Sequence, residues 1–304
     1  MNSICTDQNA ERQLDRLAAQ RALYSKAKRT FAWHAVLSTI AAFGLSLGAL
    51  FCSGLKPYAV LWGVALAILD ILWLTPRQKK LREEAATIQE SFDCAVLGLP
   101  WQPLKVGKPV DQETVVEHAA VYRRREPSFD SLRDWYPAAV CHMPLFLARV
   151  VCQRVNAWWD ARQRRRYAFC LIAAVIVLLL AVFAVGLIRH MELADLLLTA
   201  VGPLSAGIVL ALRQYKENAE AAARLEKLKD HARDLWARAG AGAPESELAA
   251  ASRVLQDELF DNRKRNVPVF DWIYWLLRFG HEVQMQESAA DLVRELEAAR
   301  GAAT

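Results

Sequence analysis

Apolar and polar positions are sorted into blocks along this chain. Residues 30–55 give 26 consecutive positions without Asp, Glu, Lys or Arg, and residues 57–76 give 20 with one acid, Asp70. Residues 167–188 give another 22 uncharged positions, and residues 196–212 give 17 after Asp195. A helix needs about 20 predominantly apolar residues to cross a hydrocarbon core roughly 30 Å thick. The pattern predicts an all-α integral membrane protein: four transmembrane helices in two hairpins, 30–76 and 167–212, with a mostly helical cytoplasmic domain. That domain is divided into an N-terminal segment 1–29, an insert 77–166 and a C-terminal region 213–304.

Good helix formers over residues 78–91 extend the second span inward, and Gly98, Pro100, Pro103, Gly107 and Pro109 then break the chain around Trp101. A helix is predicted over 112–125, with Val115, Val116, Ala119 and Ala120 on one stripe, followed by a turn-like stretch, 126–137. Residues 145–166 read as a helix running into the third span, and 214–239 as the continuation of the fourth. After a break at 240–244, residues 245–265 and 269–300 read as two more helices. No alternating strand pattern extends beyond a few residues.

The charge sets an orientation. Of 38 Lys and Arg, six precede the first span, sixteen lie in the insert and fourteen follow the fourth span, against Lys56 and Arg189 alone in the two short loops. The positive-inside rule places both termini and the insert in the cytoplasm. The net charge of +5 is then a cytoplasmic property that topology largely explains. The outer loops are too short for a folded domain, so any signal must arrive from the cytoplasm or the bilayer. The first 29 residues carry no apolar h-region, so no cleavable signal peptide is expected. Of the six cysteines, Cys52 alone lies near an outer loop, which excludes a disulfide framework on that side. No Cys/His cluster has metal-ligand spacing, and no metal is expected.

Within the spans, Gly44 and Gly48 form a small-xxx-small pair that permits close helix approach. The fourth span carries Gly202-Pro203, where a kink is expected, then Ser205 and Gly207. Asp70 and Asp195 either line a polar pathway or reach the interface. The pore or gating candidates are therefore Asp70, Gly202, Pro203 and Ser205.

Among the polar segments, Arg149, Gln153, Asn156 and Asp160 share one helical face, with Arg154 beside it and Trp158 and Trp159 nearby. Such a face either docks other helices or clamps a nucleotide, rings stacking on bases and guanidinium groups pairing with phosphates. Arg123-Arg124-Arg125 and Arg263-Lys264-Arg265 are charge runs of the kind usually solvated or set against anionic lipid. Glycine-rich phosphate loops, HExxH and GxSxG are absent, so no enzyme is expected.

Five stretches carry a resemblance: Ala19-Gln20-Arg21 with Tyr24-Ser-Lys-Ala-Lys28; Phe92-Asp-Cys-Ala-Val-Leu-Gly-Leu-Pro-Trp101; Leu132-Arg-Asp-Trp-Tyr-Pro137; Cys152-Gln-Arg-Val-Asn-Ala-Trp-Trp-Asp160; and Gln256-Asp-Glu-Leu-Phe-Asp-Asn-Arg263 with residues 268–278. In that order the chain resembles the SMODS-associated four-transmembrane effectors of bacterial anti-phage systems. The resemblance implies a cyclic dinucleotide or related cyclic oligonucleotide as activating ligand, made by a nucleotidyltransferase on infection, and an oligomeric pore in the inner membrane. It implies no cofactor and no nucleic-acid partner.

Combined with the chemistry of the motifs, it nominates Arg133, Arg154, Arg263, Lys105 and Lys108 for phosphate and Trp101 and Trp135 for base stacking, although both tryptophans equally suit a core. Basic residues at the inner surface (Arg77, Lys79, Lys80, Arg162, Arg164, Arg165, Arg166 and Arg213) predict a mouth that favours anions. Two other classes stay open: a scaffold or anionic-lipid sensor without pore activity, and a small ion-coupled transporter subunit using Asp70.

Overall fold

The structure is a computed structural model, and it describes residues 2–41, 44, 45, 48, 53–197 and 202–301. Every regular element among them is helical. In chain order these are α1 (Ile4–Asp7), α2 (Glu11–Ala35) with a π-helical extension Val36–Ala41, α3 (Lys56–Leu69) with a π-helical extension Asp70–Leu74, and α4 (Thr75–Val96). Next come α5 (Pro103–Val106), α6 (Gln112–Arg123), α7 (Leu145–Ile188), α8 (Leu193–Leu196), α9 (Gly202–Gly240), α10 (Glu245–Arg265) and α11 (Asp271–Gly301). Short 3-10 turns Asp130–Leu132 and Ala138–His142 shape the link between α6 and α7.

Helical periodicity accounts for the packing. On α4, Leu81, Ala85, Ile88 and Phe92 recur every three or four residues and are buried, as are Leu14, Leu17, Ala18, Leu23 and Ala27 on α2. These stripes face each other, and Val115 and Ala119 set α6 against α2. Burying a leucine- or phenylalanine-sized side chain is worth about 1.5–3 kcal/mol, so Leu17, Leu23, Ile88 and Phe92 hold this layer together. The most extensive helix pair is α7 with α9.

Helix α7 has 44 residues, a length of about 66 Å at 1.5 Å per residue. Its first half is buried through Leu147, Val150, Val151, Ala157 and Ala161, whereas Phe169, Ile176, Val177, Leu180, Phe183, Leu187 and Ile188 of its second half face outward. Among the described residues it is the one helix long and apolar enough to cross a membrane by itself. The four-span expectation is thus reproduced for one span. Parts of the others lie outside the described residues, Ser46, Cys52 and Thr199 among them.

The described parts of the remaining apolar blocks also turn large side chains outward: Trp33 and Ile40; Leu61, Val64, Ile68, Ile71, Leu72 and Trp73; Val209 and Leu212. The molecule therefore has a polar half with a covered core and an apolar half whose hydrophobic side chains are open. Exposed apolar surface this extensive marks contact with something other than water.

The 1–29 segment, for which no element was predicted, is mostly the helix α2, which runs without a break from Glu11 to Ala35. Cys5 and Cys141 form a disulfide, their Cα atoms 5.6 Å apart, a pairing not foreseen from cysteines 136 positions apart. At Gly44 an added Cβ would meet nothing within 4 Å, whereas at Gly207 it would lie 2.5 Å from Thr39 Cγ2. Close approach is thus seen at Gly207, and at Gly48 of the pair, where an added Cβ would lie 3.2 Å from Leu55 Cδ1. The kink expected at Gly202-Pro203 draws on residues 198–201, which lie outside the described residues.

Candidate functional site

The motif residues converge on a buried polar network inside the polar half. Asp93, fully buried on α4, accepts hydrogen bonds from Tyr136 Oη (2.7 Å), Gln256 Nε2 (2.8 Å) and Arg263 Nη1 (2.5 Å). Glu90, one turn earlier and also buried, accepts from Arg253 Nη2 (2.8 Å) and Gln256 Nε2 (2.8 Å). Asn156 on α7 donates to Tyr136 Oη (3.2 Å), and Gln153 donates to Gln256 Oε1 (3.1 Å) and to the Ser252 carbonyl (2.9 Å).

The network ties α4, α7, α10 and the 3-10 link together. Burial and the neighbouring Asp93 raise the Glu90 carboxyl above its ordinary range, against the pull of Arg253 and Arg263. Burial alone would lower Arg263, yet Asp93, Tyr136 and Glu90 together hold it above its usual value. Burial, with Glu90 adding to it, pushes the Cys94 thiol up to about 12, which leaves it an inert, protonated group.

Beside this network opens a cavity of about 690 Å³ between α2, the 3-10 link, α7, the link after α10, and α11, which lines it at Asp271 and again at Val283, Met285, Gln286 and Glu287. That is within the size range of small-molecule sites, roughly 300–1,000 Å³. Its cations are Arg21, Lys28, Arg133, Arg164 and Arg263, its acids Asp134, Asp160, Asp271 and Glu287, and its aromatics Tyr24, Trp135 and Trp159. Most charges are already matched. Lys28 Nζ lies 2.5 Å from Asp271 Oδ1, Arg164 Nε lies 2.9 Å from Asp160 Oδ1, and Arg263 is held by Asp93. Arg21 stacks over the Trp135 ring at 5.7 Å. Arg133 is exposed and makes no ion pair among the described residues.

Burial pushes the Tyr24 phenol up to about 12 against the pull of Arg263, so it stays a protonated hydroxyl at the cavity wall. Asn266 also lines the cavity. It is 6% exposed, its Oδ1 accepts from Arg224 (3.0 Å), and its Nδ2 has no hydrogen-bond partner among the described residues. A buried donor without a partner marks a place for an acceptor.

The structure brings three of the seven nucleotide candidates, Arg133, Trp135 and Arg263, to this cavity and places four elsewhere. Arg154 points to α11, its Nη1 3.4 Å from Ser288 Oγ. Trp101 donates to the Gly107 carbonyl (2.9 Å) and packs on the core, which is the alternative left open for it. Lys105 is tied to Asp261 on α10 (2.7 Å), and Lys108 is exposed on the adjacent loop. The shared face of α7 is also divided. Arg149 caps the end of α4 through the Leu97 and Gly98 carbonyls (2.5 and 2.6 Å), Gly98 taking the left-handed conformation (φ 60°) common just past a helix end.

Of the gating candidates, Asp70 opens the π-helical turn Asp70–Leu74, accepts from Thr75 Oγ1 (2.8 Å) and lies 3.5 Å from His34 Nδ1 of α2. Ser205 is exposed on α9. Tyr24, Lys28, Arg164, Asn266 and Asp271 were not singled out as site residues from the sequence. Tyr24 and Lys28 lie in the motif before span one and Asp271 in the stretch 268–278, which were the available signals.

Residues 2–292 match the family described as the SMODS-associating 4TM effector domain. The chain belongs to this family. It is similar to a protein of Bacillus cereus (strain VD146) named a probable CBASS effector molecule, 23% identical over 276 residues, 88% of this chain and 91% of that relative. No solved structure matches. The resemblance is thereby shown at the level of the family, a CBASS effector family of anti-phage defence whose domain is described as four-transmembrane.

Proposed function

We propose that this 4TM effector is a non-enzymatic, ligand-gated membrane protein. A cyclic oligonucleotide, supplied by a partner nucleotidyltransferase, binds the cavity on the cytoplasmic side and opens an oligomeric pathway through the inner membrane. The observation that carries this reading is continuity. Helices α2 and α7 line a cavity that holds aromatic rings and, among the described residues, an arginine without an ion pair and an amide donor without a partner, and both helices run on into the apolar half. The rings supply stacking surfaces for bases, and Arg133 and Lys28 supply charge for phosphates. The outward-facing side chains in the described parts of the four apolar blocks support a membrane-embedded half, and the charge asymmetry supports both termini inside. So few helices enclose a wide aqueous path only as an oligomer.

The basic mouth keeps Arg77, Lys79, Lys80, Arg162, Arg165, Arg166 and Arg213 exposed, while Arg164 turns inward to Asp160 and Asn218 and leaves the ring. Anion preference is therefore the expected sign. The test is the full chain in lipid nanodiscs and planar bilayers with cyclic di-AMP and 3′,3′-cyclic GMP–AMP, and AMP as control. A cyclic dinucleotide binds, Arg133→Ala weakens it about 10- to 150-fold, and a current appears whose reversal potential lies on the anion side. Absence of binding to the wild type overturns the ligand, absence of a ligand-dependent current overturns the pore, and a reversal on the cation side overturns the anion assignment.

A further inference from the structure

We propose that the Lys28–Asp271 ion pair is a latch that an anionic ligand opens: a ligand phosphate oxygen replaces the Asp271 carboxylate on the Lys28 ammonium, and the head of α11 then leaves the seam between α2 and α7. This rests on the reading of the cavity as an anionic-ligand site. Three observations carry it.

The first is asymmetry. The Lys28 side chain is 19% exposed and that of Asp271 54% exposed, and both line the cavity. Burial pulls Lys28 below its ordinary range while Asp271 opposes the shift, so this ammonium needs an anion beside it. The carboxylate, in contrast, is already half in water and loses little by leaving. Exchange of one anion for another keeps Lys28 paired throughout.

The second is connectivity. The Arg164–Asp160 pair lies within α7, and Arg263–Asp93 fixes α10 to α4 beneath the cavity. Among the described residues Lys28–Asp271 is the ion pair that joins α2 to α11.

The third is what the latch holds in place. Directly before Asp271, the Phe270 ring lies 5.6 Å from Phe31 of α2 and 6.1 Å from Tyr167 of α7. Val269 and the fully buried Ile273 pack with Tyr167 in a small cluster of their own, separate from the main core. This wedge sits where α2 and α7 pass from the polar to the apolar half. Withdrawing it frees those two helices to move relative to one another.

The experiment uses the full chain in nanodiscs, cyclic di-AMP and 3′,3′-cyclic GMP–AMP as probes, and hydrogen exchange over residues 271–295 beside affinity. In the wild type, a bound probe speeds exchange in that segment. Asp271→Asn removes the competing carboxylate. The closed state then no longer depresses the apparent affinity, so the probe binds about tenfold tighter or more and exchange is fast before probe is added. Lys28→Met also exchanges fast without probe but binds more weakly. Asp291→Asn, which breaks a pair within α11 itself, leaves both readouts at wild-type values. Unchanged exchange in wild type on binding, or equal or weaker affinity in Asp271→Asn, overturns the latch and leaves the cavity reading standing. Failure of both probes to bind the wild type overturns the two together.

Discussion

Leu147 and Val151 near the start of α7 are covered completely, while Leu180 and Ile188 further along the same helix are 62% and 75% exposed. Helix α9 shows the same contrast in reverse order, with Val209 and Leu212 open and Ala221, Leu225 and Leu235 buried. Identical residue types on one continuous helix are thus treated in opposite ways by the two halves of the molecule. In the polar half a helix hides its apolar stripe against its neighbours, and the buried acids Glu90 and Asp93 are met by cations and amides from distant parts of the chain. In the apolar half the large side chains face away from the protein, as expected where the surroundings are hydrocarbon. The border is marked by the π-helical segments Val36–Ala41 and Asp70–Leu74, the His34–Asp70 pair and the Phe270 wedge. Specific polar pairing organises one half and the solvent organises the other, and the border is where a signal has to pass between them.

The largest effect is expected in the polar half. Asp93→Ala removes the acceptor shared by Tyr136, Gln256 and Arg263 and leaves the buried Arg263 guanidinium without its counter-charge. Breaking such a pair from one side costs about 3–5 kcal/mol, read as a fall in the urea midpoint of the detergent-solubilised protein followed by tryptophan fluorescence. Leu180→Ala, on the open face of α7, leaves that midpoint within about 0.5 kcal/mol. Equal losses in the two variants would erase the contrast between the halves.

The next effect tests the other side of the comparison. Leu180→Arg places a charge on the outward face of the apolar half. On insertion scales a charge at the centre of a span costs about 2.5–3.5 kcal/mol, so the variant partitions less into alkali-washed membranes. Arg166, already exposed midway along the same helix, marks the control: Arg166→Lys leaves partitioning unchanged. Full membrane retention of Leu180→Arg would show that this face meets something other than lipid.

Much of the polar half was legible because local periodicity survives folding. The helix read over 245–265 is α10, Glu245–Arg265; that over 112–125 is Gln112–Arg123; and residues 145–188 form one helix across the expected membrane boundary. The break at 240–244 separates α9 from α10. The site was legible only in part, since it is assembled from residues far apart in sequence. Lys28 and Asp271 are 243 positions apart and Asp93 and Arg263 are 170 apart, and nothing in local spacing joins them. Asp93 did leave a trace, as an acid set inside the apolar run from Phe92 to Leu99. Arg154 shows that a helix face has two uses: the structure places it against Ser288 of α11, away from the cavity. Gly44, open, and Gly48 and Gly207, both close to a neighbour, make a related point: a glycine pattern states where helices are able to approach, and the partner decides where they do.

Gly207 sharpens that last point and the comparison with it. A Cβ placed there would lie 2.5 Å from Thr39 Cγ2 and 2.7 Å from Thr39 Oγ1, closer than real Cβ atoms come. The opposing atoms are the side chain of Thr39 in the π-helical stretch Val36–Ala41, so α9 presents bare backbone at Gly207 to a side chain of the first apolar block. Gly207→Ala therefore forces the two helices apart. Overpacking of this kind costs about 1–3 kcal/mol, smaller than the loss at Asp93 because the helices have room to shift in hydrocarbon and no charge is stranded. The variant is expected to melt at a lower temperature in detergent while still partitioning into membranes, which separates a packing fault from an insertion fault. Thr39→Ala removes both opposing atoms, so the double variant Gly207→Ala with Thr39→Ala recovers most of the lost stability. A double variant no better than Gly207→Ala alone would show that Gly207 is not held by Thr39, and that the apolar half, unlike the polar one, lacks specific partners even where its helices come closest.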